Sequence, residues 1–280
     1  RDGNAKPNFF NTSAERCSTE GTNMMNAWDQ RFGGIERLYG KRASQIIRDA
    51  HVCIIGIGGV GSWTAESLAR TGIGKLTLVD MDDVCVTNVN RQVHALDGEV
   101  GQLKVESMAR RIKLISPDCS VRTQPVFFTQ ATSNSIFDER YDVVVDAIDR
   151  LNAKCLLLNM ANQLGLPIVS TGAAGGRMDP FQIVTADLSR VHHDRLLQKV
   201  RKQLRTEYAF PRGKAFGIPC VFSPEPARGP WDLEDACEAD LKSDRPGYLG
   251  CDEGYGSVTH VTGTFGFSAA GLAIKLLLSS

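Results

Sequence analysis

The residues best equipped for chemistry lie between positions 56 and 149. Gly56-Ile57-Gly58-Gly59-Val60-Gly61 follows the apolar run His51–Ile55 and opens a helix-forming stretch. Gly56, Gly58, Gly59 and Gly61 let a backbone turn tightly and approach a phosphate chain. The helix that starts there offers free N–H groups and the positive end of its dipole to the anion. Asp80 ends the next apolar run, where an acid can accept hydrogen bonds from ribose hydroxyls. Turn, strand, helix and acid together point to nucleotide binding rather than to a glycine-tolerant packing turn. At this point a nicotinamide dehydrogenase and an ATP user both remain open.

The residues after Asp80 separate the two. The chain continues Met81-Asp82-Asp83-Val84-Cys85-Val86-Thr87-Asn88-Val89-Asn90-Arg91-Gln92. A hydride-transfer enzyme has no need of Asn, Arg and Gln packed just beyond its ribose acid. An enzyme that splits ATP at the α-phosphate does need cations there, because negative charge builds on the α-phosphoryl group and the departing pyrophosphate. Lys104 adds a second cation at the start of the next helix. Asp149, past a buried apolar run, can hold Mg²⁺ through an oxygen.

These residues need a scaffold, and the hydrophobic pattern supplies one. Residues 29–49 read as an amphipathic helical stretch and His51–Ile55 as a strand. A helix over 59–71, a strand over 75–80, a helix over 100–115 and a strand over 120–127 follow. A short helix over 131–137 precedes Tyr141–Ile148, a continuous apolar run that reads as a strand buried on both faces. A helix over 152–164 and a strand over 167–171 continue the series. Strands are then expected at 181–186 and 218–222, and helices at 193–206 and 261–278. The alternation predicts an α/β fold, doubly wound around a mostly parallel sheet, with a C-terminal extension and terminal helix. Residues 1–24 read as a mobile leader, 25–280 as a single domain, and 225–256 as a long loop rich in Pro, Gly and acids.

Composition removes other classes. Of 280 residues, 42% are hydrophobic and 23% charged, which excludes a disordered chain, a collagen-like fibre and a disulfide miniprotein. Lys+Arg and Asp+Glu balance at 32 each, so only local charge clusters can speak for a polyanionic partner. Eight cysteines are scattered with no CxxC pair, which argues against a four-thiolate zinc site and fits a reducing, cytoplasmic setting. The run 261–278 contains Lys275 and reads as a buried or interface helix; peripheral attachment to an inner membrane is the alternative.

With these pieces in place, the chain resembles the ThiF/MoeB/HesA superfamily of adenylating enzymes. The matching stretches are Gly56–Gly61, Asp80-x-Asp82, Asn88-x-x-Arg91-Gln92, Lys104 and Asp146-x-x-Asp149, spread over residues 30–175. The resemblance implies ATP contacts from Gly56, Gly58, Gly59, Gly61, Asp80, Asp82 and Gln92. It implies phosphate contacts from Asn88, Arg91 and Lys104, and a magnesium-binding Asp149. The family usually has Asp-Asn where this chain has Asp149-Arg150. Arg31 in Gln30-Arg31-Phe32-Gly33-Gly34 matches a family arginine that reaches into the partner subunit's ATP site, which implies a homodimer with Arg31 acting in trans.

Within that superfamily the chain is similar to the tRNA threonylcarbamoyladenosine dehydratase branch (TcdA or CsdL type). The similarity rests on Arg37-Leu-Tyr-Gly40, Gly72-Ile-Gly74, Asp146-Ala-Ile-Asp149, Thr171-Gly-Ala-Ala-Gly-Gly176, Cys220-Val-Phe-Ser223 and Val261-Thr-Gly-Thr-Phe-Gly-Phe267. It implies ATP-dependent ring closure of N6-threonylcarbamoyladenosine in tRNA. It also suggests sulfur-relay partner proteins, and Cys237 and Cys251 in the late loop are the thiols such a partner would address. No cation or His flanks either one to lower a thiol pKa, so both read as incidental.

A basic cluster offers a place for the tRNA. Arg195, Lys199, Arg201, Lys202 and Arg205 share one helical stretch, and Arg190, Arg212 and Lys214 flank it. Leu196, Leu197, Val200 and Leu204 form the apolar stripe, leaving the cations to follow a phosphate backbone. Two other readings stay in view: an activator of a ubiquitin-like or sulfur-carrier protein, and a non-catalytic membrane scaffold built on the last helix.

Overall fold

The computed structural model describes residues 27–229, 232 and 255–279. The expected leader 1–24, most of the 225–256 loop, and Cys237 and Cys251 lie outside the described residues. Two helices, α1 (Ala27–Tyr39) and α2 (Lys41–Asp49), precede β1 (His51–Ile55). Then come α3 (Gly59–Arg70), β2 (Lys75–Val79), α4 (Lys104–Ile115), β3 (Ser120–Gln124), α5 (Gln130–Ile136) and β4 (Val143–Asp146). The chain continues through α6 (Leu151–Leu164), β5 (Ile168–Thr171), β6 (Val184–Asp187), α7 (Arg195–Glu207), β7 (Pro219–Phe222) and α8 (Thr259–Ser279).

The seven strands form one sheet in the order β3-β2-β1-β4-β5-β7-β6. All neighbours are parallel except β6, which runs antiparallel to β7 with Val184 opposite Phe222 and Asp187 opposite Pro219. β1 and β4 are buried along their whole length because helices cover both faces. Alternate residues of β1 serve opposite layers, as the pleat requires. Val52 and Ile54 join Leu68, Met108, Phe265 and Ile274 under α3, α4 and α8. Cys53 and Ile55 join Val144, Leu157, Leu197 and Val200 under α6 and α7. The doubly wound, mostly parallel α/β architecture is the one the alternation of elements implies.

Four features differ most from the sequence reading. Residues 29–49 form two helices, broken at Gly40, whose φ of 87° lies outside the helical region. The helix expected from Val100 starts at Lys104, after a 3-10 turn at Asp97–Glu99. β3 stops at Gln124, before Pro125. β6 begins at Val184 because Pro180–Gln182 forms its own 3-10 turn.

The terminal helix has the length and composition of a membrane span, yet 56% of its apolar window is buried inside the fold. It crosses α3 at Gly266, where a Cβ would stand 2.5 Å from Trp63 Cβ and 2.7 Å from the Val60 carbonyl oxygen. Thr64 Oγ1 donates to the Gly266 carbonyl at 3.2 Å. Burial of Val261, Phe265, Ile274 and Leu277 stabilises this layer by roughly 2 kcal/mol per side chain. α8 is a core helix of the sheet's first face.

Candidate active site

Strand order reverses between β1 and β4, and a crevice opens where their following chains part to opposite faces. Gly56 turns out of β1 with φ 94°, and a Cβ there would lie 2.7 Å from the Ala147 carbonyl oxygen. At Gly61 a Cβ would stand 1.8 Å from the Gly56 carbonyl. The loop therefore packs onto the connection after β4 with no room for side chains. Gly58 caps α3 without a side-chain hydrogen bond, so the first N–H groups of the helix remain for a ligand.

Asp80 anchors this turn. Its Oδ2 accepts the Ile57 N–H at 2.6 Å and its Oδ1 the Asp82 N–H at 2.9 Å. Half of a carboxylate's acceptor positions stay open for ribose hydroxyls. Burial pushes the Asp80 carboxyl above the usual carboxylate range, against the pull of Lys104. Asp82, expected among the nucleotide contacts, faces Lys104, with Nζ to Oδ2 at 2.9 Å, and half of its side chain stays exposed. The Lys104 side chain is only 9% exposed, so its charge acts in a poorly solvated setting.

Arg91 lies over the start of α3, its Cδ 3.6 Å from where a Gly59 Cβ would be. Its Nη1 donates to the Thr87 carbonyl at 2.7 Å and to Asn90 Oδ1 at 3.0 Å. Its own carbonyl accepts Trp63 Nε1 at 3.0 Å and Thr262 Oγ1 at 3.1 Å. Asn90 Nδ2 donates to the Ser257 carbonyl at 2.9 Å. Two helices thus fasten this loop. Asn88 is buried, and its Oδ1 accepts the Cys85 N–H at 3.1 Å, so only its amide NH₂ is left for a phosphate. Gln92 is buried away from solvent, with Oε1 unbonded among the described residues.

Two polar residues escaped the sequence reading. His94 is 1% exposed, and neither ring nitrogen carries a hydrogen bond among the described residues. Burial pushes its pKa down to about 4, with Lys104 opposing the cation further. Lys154 is fully buried against Asp146, Nζ to Oδ2 at 2.8 Å, and donates to the Ile148 carbonyl at 2.8 Å. Ser170 Oγ also donates to Asp146 Oδ2 at 2.6 Å. This pair holds the turn that carries Asp149, which itself is exposed. Arg150 is drawn aside over the Phe127 ring at 4.8 Å. A polar residue inside an apolar run was the available signal for His94; Lys154 gave none.

No cluster of three or more metal-ligating side chains occurs among the described residues. A lone exposed carboxylate fits Mg²⁺, which takes one or two protein oxygens and completes its shell with phosphates and water. Cys53, Cys119, Cys155 and Cys220 are buried, and burial raises their thiols.

Arg31 lies elsewhere. Its Nη1 donates to the Ile115 carbonyl at 3.3 Å, at the far end of α4. Its neighbour Trp28 donates to the Gly72 carbonyl at 3.2 Å, beyond the end of α3. Both helices start at the crevice, so α1 sits at the opposite sheet edge. This chain does not place Arg31 in its own site.

The basic stretch is divided. Lys199 and Lys202 are exposed on α7, and exposed Arg195 reaches Tyr255 Oη at 3.5 Å. Arg201 turns inward to the Ser189 carbonyl at 3.3 Å and to the Val191 carbonyl. Arg205 lies over the Phe216 ring at 5.3 Å. The helical period put five cations together but did not separate those bound to the chain itself.

The ThiF family model matches residues 34–280. The chain is 45% identical to a tRNA threonylcarbamoyladenosine dehydratase of Escherichia coli K12, across 91% of this chain and 96% of that one. It superposes with a TM-score of 0.80 on an E. coli tRNA N6-threonylcarbamoyladenosine dehydratase structure in complex with ATP, at 42% identity over 92% of this chain and 98% of the other. A more distant relative is an adenylyltransferase and sulfurtransferase of Vanderwaltozyma polyspora, 35% identical over 52% of this chain and 34% of that protein. A crevice that presents a glycine turn, an anchored acid and two cations, in a chain matched from residue 34 to its last position, leads to one conclusion: the chain belongs to the ThiF family.

Proposed function

We propose that this chain is an ATP-dependent, adenylate-forming enzyme that dehydrates N6-threonylcarbamoyladenosine in tRNA to its cyclic form. The observation that carries this reading is the phosphate crevice, with Arg91 held beside the start of α3 and Lys104 beside Asp80 and Asp82, in a chain that aligns nearly end to end with the dehydratases.

The threonyl carboxylate attacks the α-phosphorus, and pyrophosphate leaves. The carbamoyl nitrogen then attacks the activated acyl carbon, loses its proton, and displaces AMP. The carboxylate oxygen departs on AMP, so the nucleoside has lost one water. The α3 N-terminus holds the phosphates and Asp80 the ribose. Lys104, Arg91 and the Asn88 amide take up charge on the departing pyrophosphate. Asp149 would hold Mg²⁺, which neutralises phosphate charge when bound. Arg31 of a second copy completes the site in trans, so the working form is a homodimer.

The exposed face of α7 receives the tRNA. A cytoplasmic enzyme follows from that substrate, and α8 packs into the core against α3. The chemistry needs no thiol, so a sulfur-relay partner has no step in it. The carrier-protein activator is the weaker reading, since its relatives match about half of this chain and the sequence lacks CxxC.

Mass spectrometry of tRNA carrying N6-threonylcarbamoyladenosine tests the proposal. Incubation with ATP is expected to lower the nucleoside mass by one water and release AMP and pyrophosphate in equal amounts. Unchanged nucleoside, with the wild-type chain binding ATP, would overturn it.

A further inference from the structure

Three cations converge on a cavity at the sheet edge opposite the nucleotide crevice. Arg190, Arg205 and Lys214 line it with Ser189, Gly213 and Ala215, and it is a solvent-open depression of about 200 Å³. β6 descends to this edge, and α7 returns to it from Asp194, whose Oδ2 accepts the Ala173 N–H just past β5. The cavity is therefore separate from the site built by Gly56–Gly61.

Its walls are fixed by a single acid. Asp187 Oδ1 accepts the Ser189 and Phe216 N–H groups, both at 2.9 Å. Its Oδ2 accepts Gly217 N at 2.8 Å and Ile218 N at 3.1 Å. Four N–H donors fill that carboxylate's acceptor positions, and among the described residues it forms no ion pair with the three cations. Arg201 lies behind the wall, bound to the Ser189 and Val191 carbonyls. Arg205 rests on Phe216, and its Nε is buried without a hydrogen bond among the described residues. A buried charged donor left unbonded is costly, and clustered positive charges repel. An anion in the cavity relieves the repulsion.

A phosphate group suits the donors, with a guanidinium fork on one side and a mobile ammonium on the other. Its source is decided by what adjoins the cavity. α7 runs ten residues from Arg195, at the crevice edge, to Arg205, about 15 Å along its axis. Exposed Lys199 and Lys202 lie between. A cationic track that ends in a cavity fits a chain of phosphates better than one free ion. We infer that this cavity seats a backbone phosphate of the bound tRNA, away from the reacting nucleoside; the inference rests on the tRNA reading above.

The test compares the wild-type chain with Arg190→Ala and Lys214→Ala, both at exposed positions outside the core. Affinity for tRNA bearing N6-threonylcarbamoyladenosine is measured from 50 to 300 mM KCl, with ATP affinity read on the same samples to check the distant site. Each variant is expected to bind tRNA about 5- to 10-fold more weakly at 0.1 M salt. Each should also reduce the slope of log affinity against log salt by about 0.7–0.9. Unchanged affinity and slope, with the wild-type chain still converting the nucleoside, would overturn the cavity while leaving the proposed function intact. Failure of the wild-type chain to bind or convert tRNA would overturn both. A third arm replaces chloride with inorganic phosphate. If the variants lose only a response to phosphate and keep the tRNA slope, the cavity is a free-anion site and the RNA assignment falls.

Discussion

Lys104 meets Asp82 at 2.9 Å while nearly shut off from water, so a nucleotide phosphate must compete with that carboxylate for the ammonium. Arg91 is held by its backbone, which leaves its side chain beside the α3 start without help from substrate. Lys104→Ala or Arg91→Ala is expected to cut AMP formation at least ~100-fold, the scale of losing one donor to developing charge. A wild-type rate in either variant, measured by AMP release with tRNA present, would remove these residues from the mechanism. His94 sets a different expectation. Its folded pKa, about 4, lies below the usual histidine value of 6.5, so the unfolded chain binds more protons between these pH values. Stability is full above pH 6.5 and falls by up to about 3 kcal/mol as pH drops toward 4. Urea unfolding at pH 7.5, 6.5, 5.5 and 4.5 should show this loss, and His94→Asn should flatten it. Residue types and spacing singled out Asp80, Arg91 and Lys104, and the structure gathers them near the glycine turn, Asp80 on the Ile57 N–H, Arg91 over Gly59 and Lys104 against Asp82. Spacing did not reveal orientation. Asn88 turns its oxygen to its own backbone, Asp82 turns to Lys104, and Lys154 finds Asp146 only in three dimensions.

At the level of elements, α3 and α8 cross in close contact at Gly266. Gly266→Val would drive a branched side chain into Trp63 and the Val60 carbonyl, which the α3 hydrogen bonds hold in place. A cost of about 2–4 kcal/mol is expected, read as a lower urea midpoint with an unchanged m-value. A midpoint equal to wild type would mean that the helices cross elsewhere. The strands were plain in the sequence because a strand covered on both faces reads as an unbroken apolar run. The break at Gly40 and the late start at Lys104 were hidden, since amphipathic periodicity continues through both. The apolar α8 pattern suits a core helix and a membrane span alike; only its packing against α3 distinguishes them.

The whole molecule has two working edges. The crevice opens at the C-terminal edge of the parallel strands, and Arg31 stands at the other, bonded to Ile115. If Arg31 serves a neighbouring copy, two inactive variants should repair each other. Mixing Arg31→Ala with Arg91→Ala and allowing subunits to exchange should restore about 25% of wild-type activity: half the dimers are mixed, and one of two sites in each is whole. No recovery after demonstrated exchange would rule out action in trans.

The bonds from Ser257 to Asn90 and from Thr262 to Arg91 join positions some 170 residues apart in sequence. During synthesis β1, β2 and the glycine turn between them are made well before residues 257–262 exist. Until that last helix arrives, nothing from it holds the loop that bears Arg91. A nascent chain can therefore build its nucleotide cradle early yet fasten the loop that bears Arg91 only after residues 257–262 are made, which ties ATP use to the synthesis of α8.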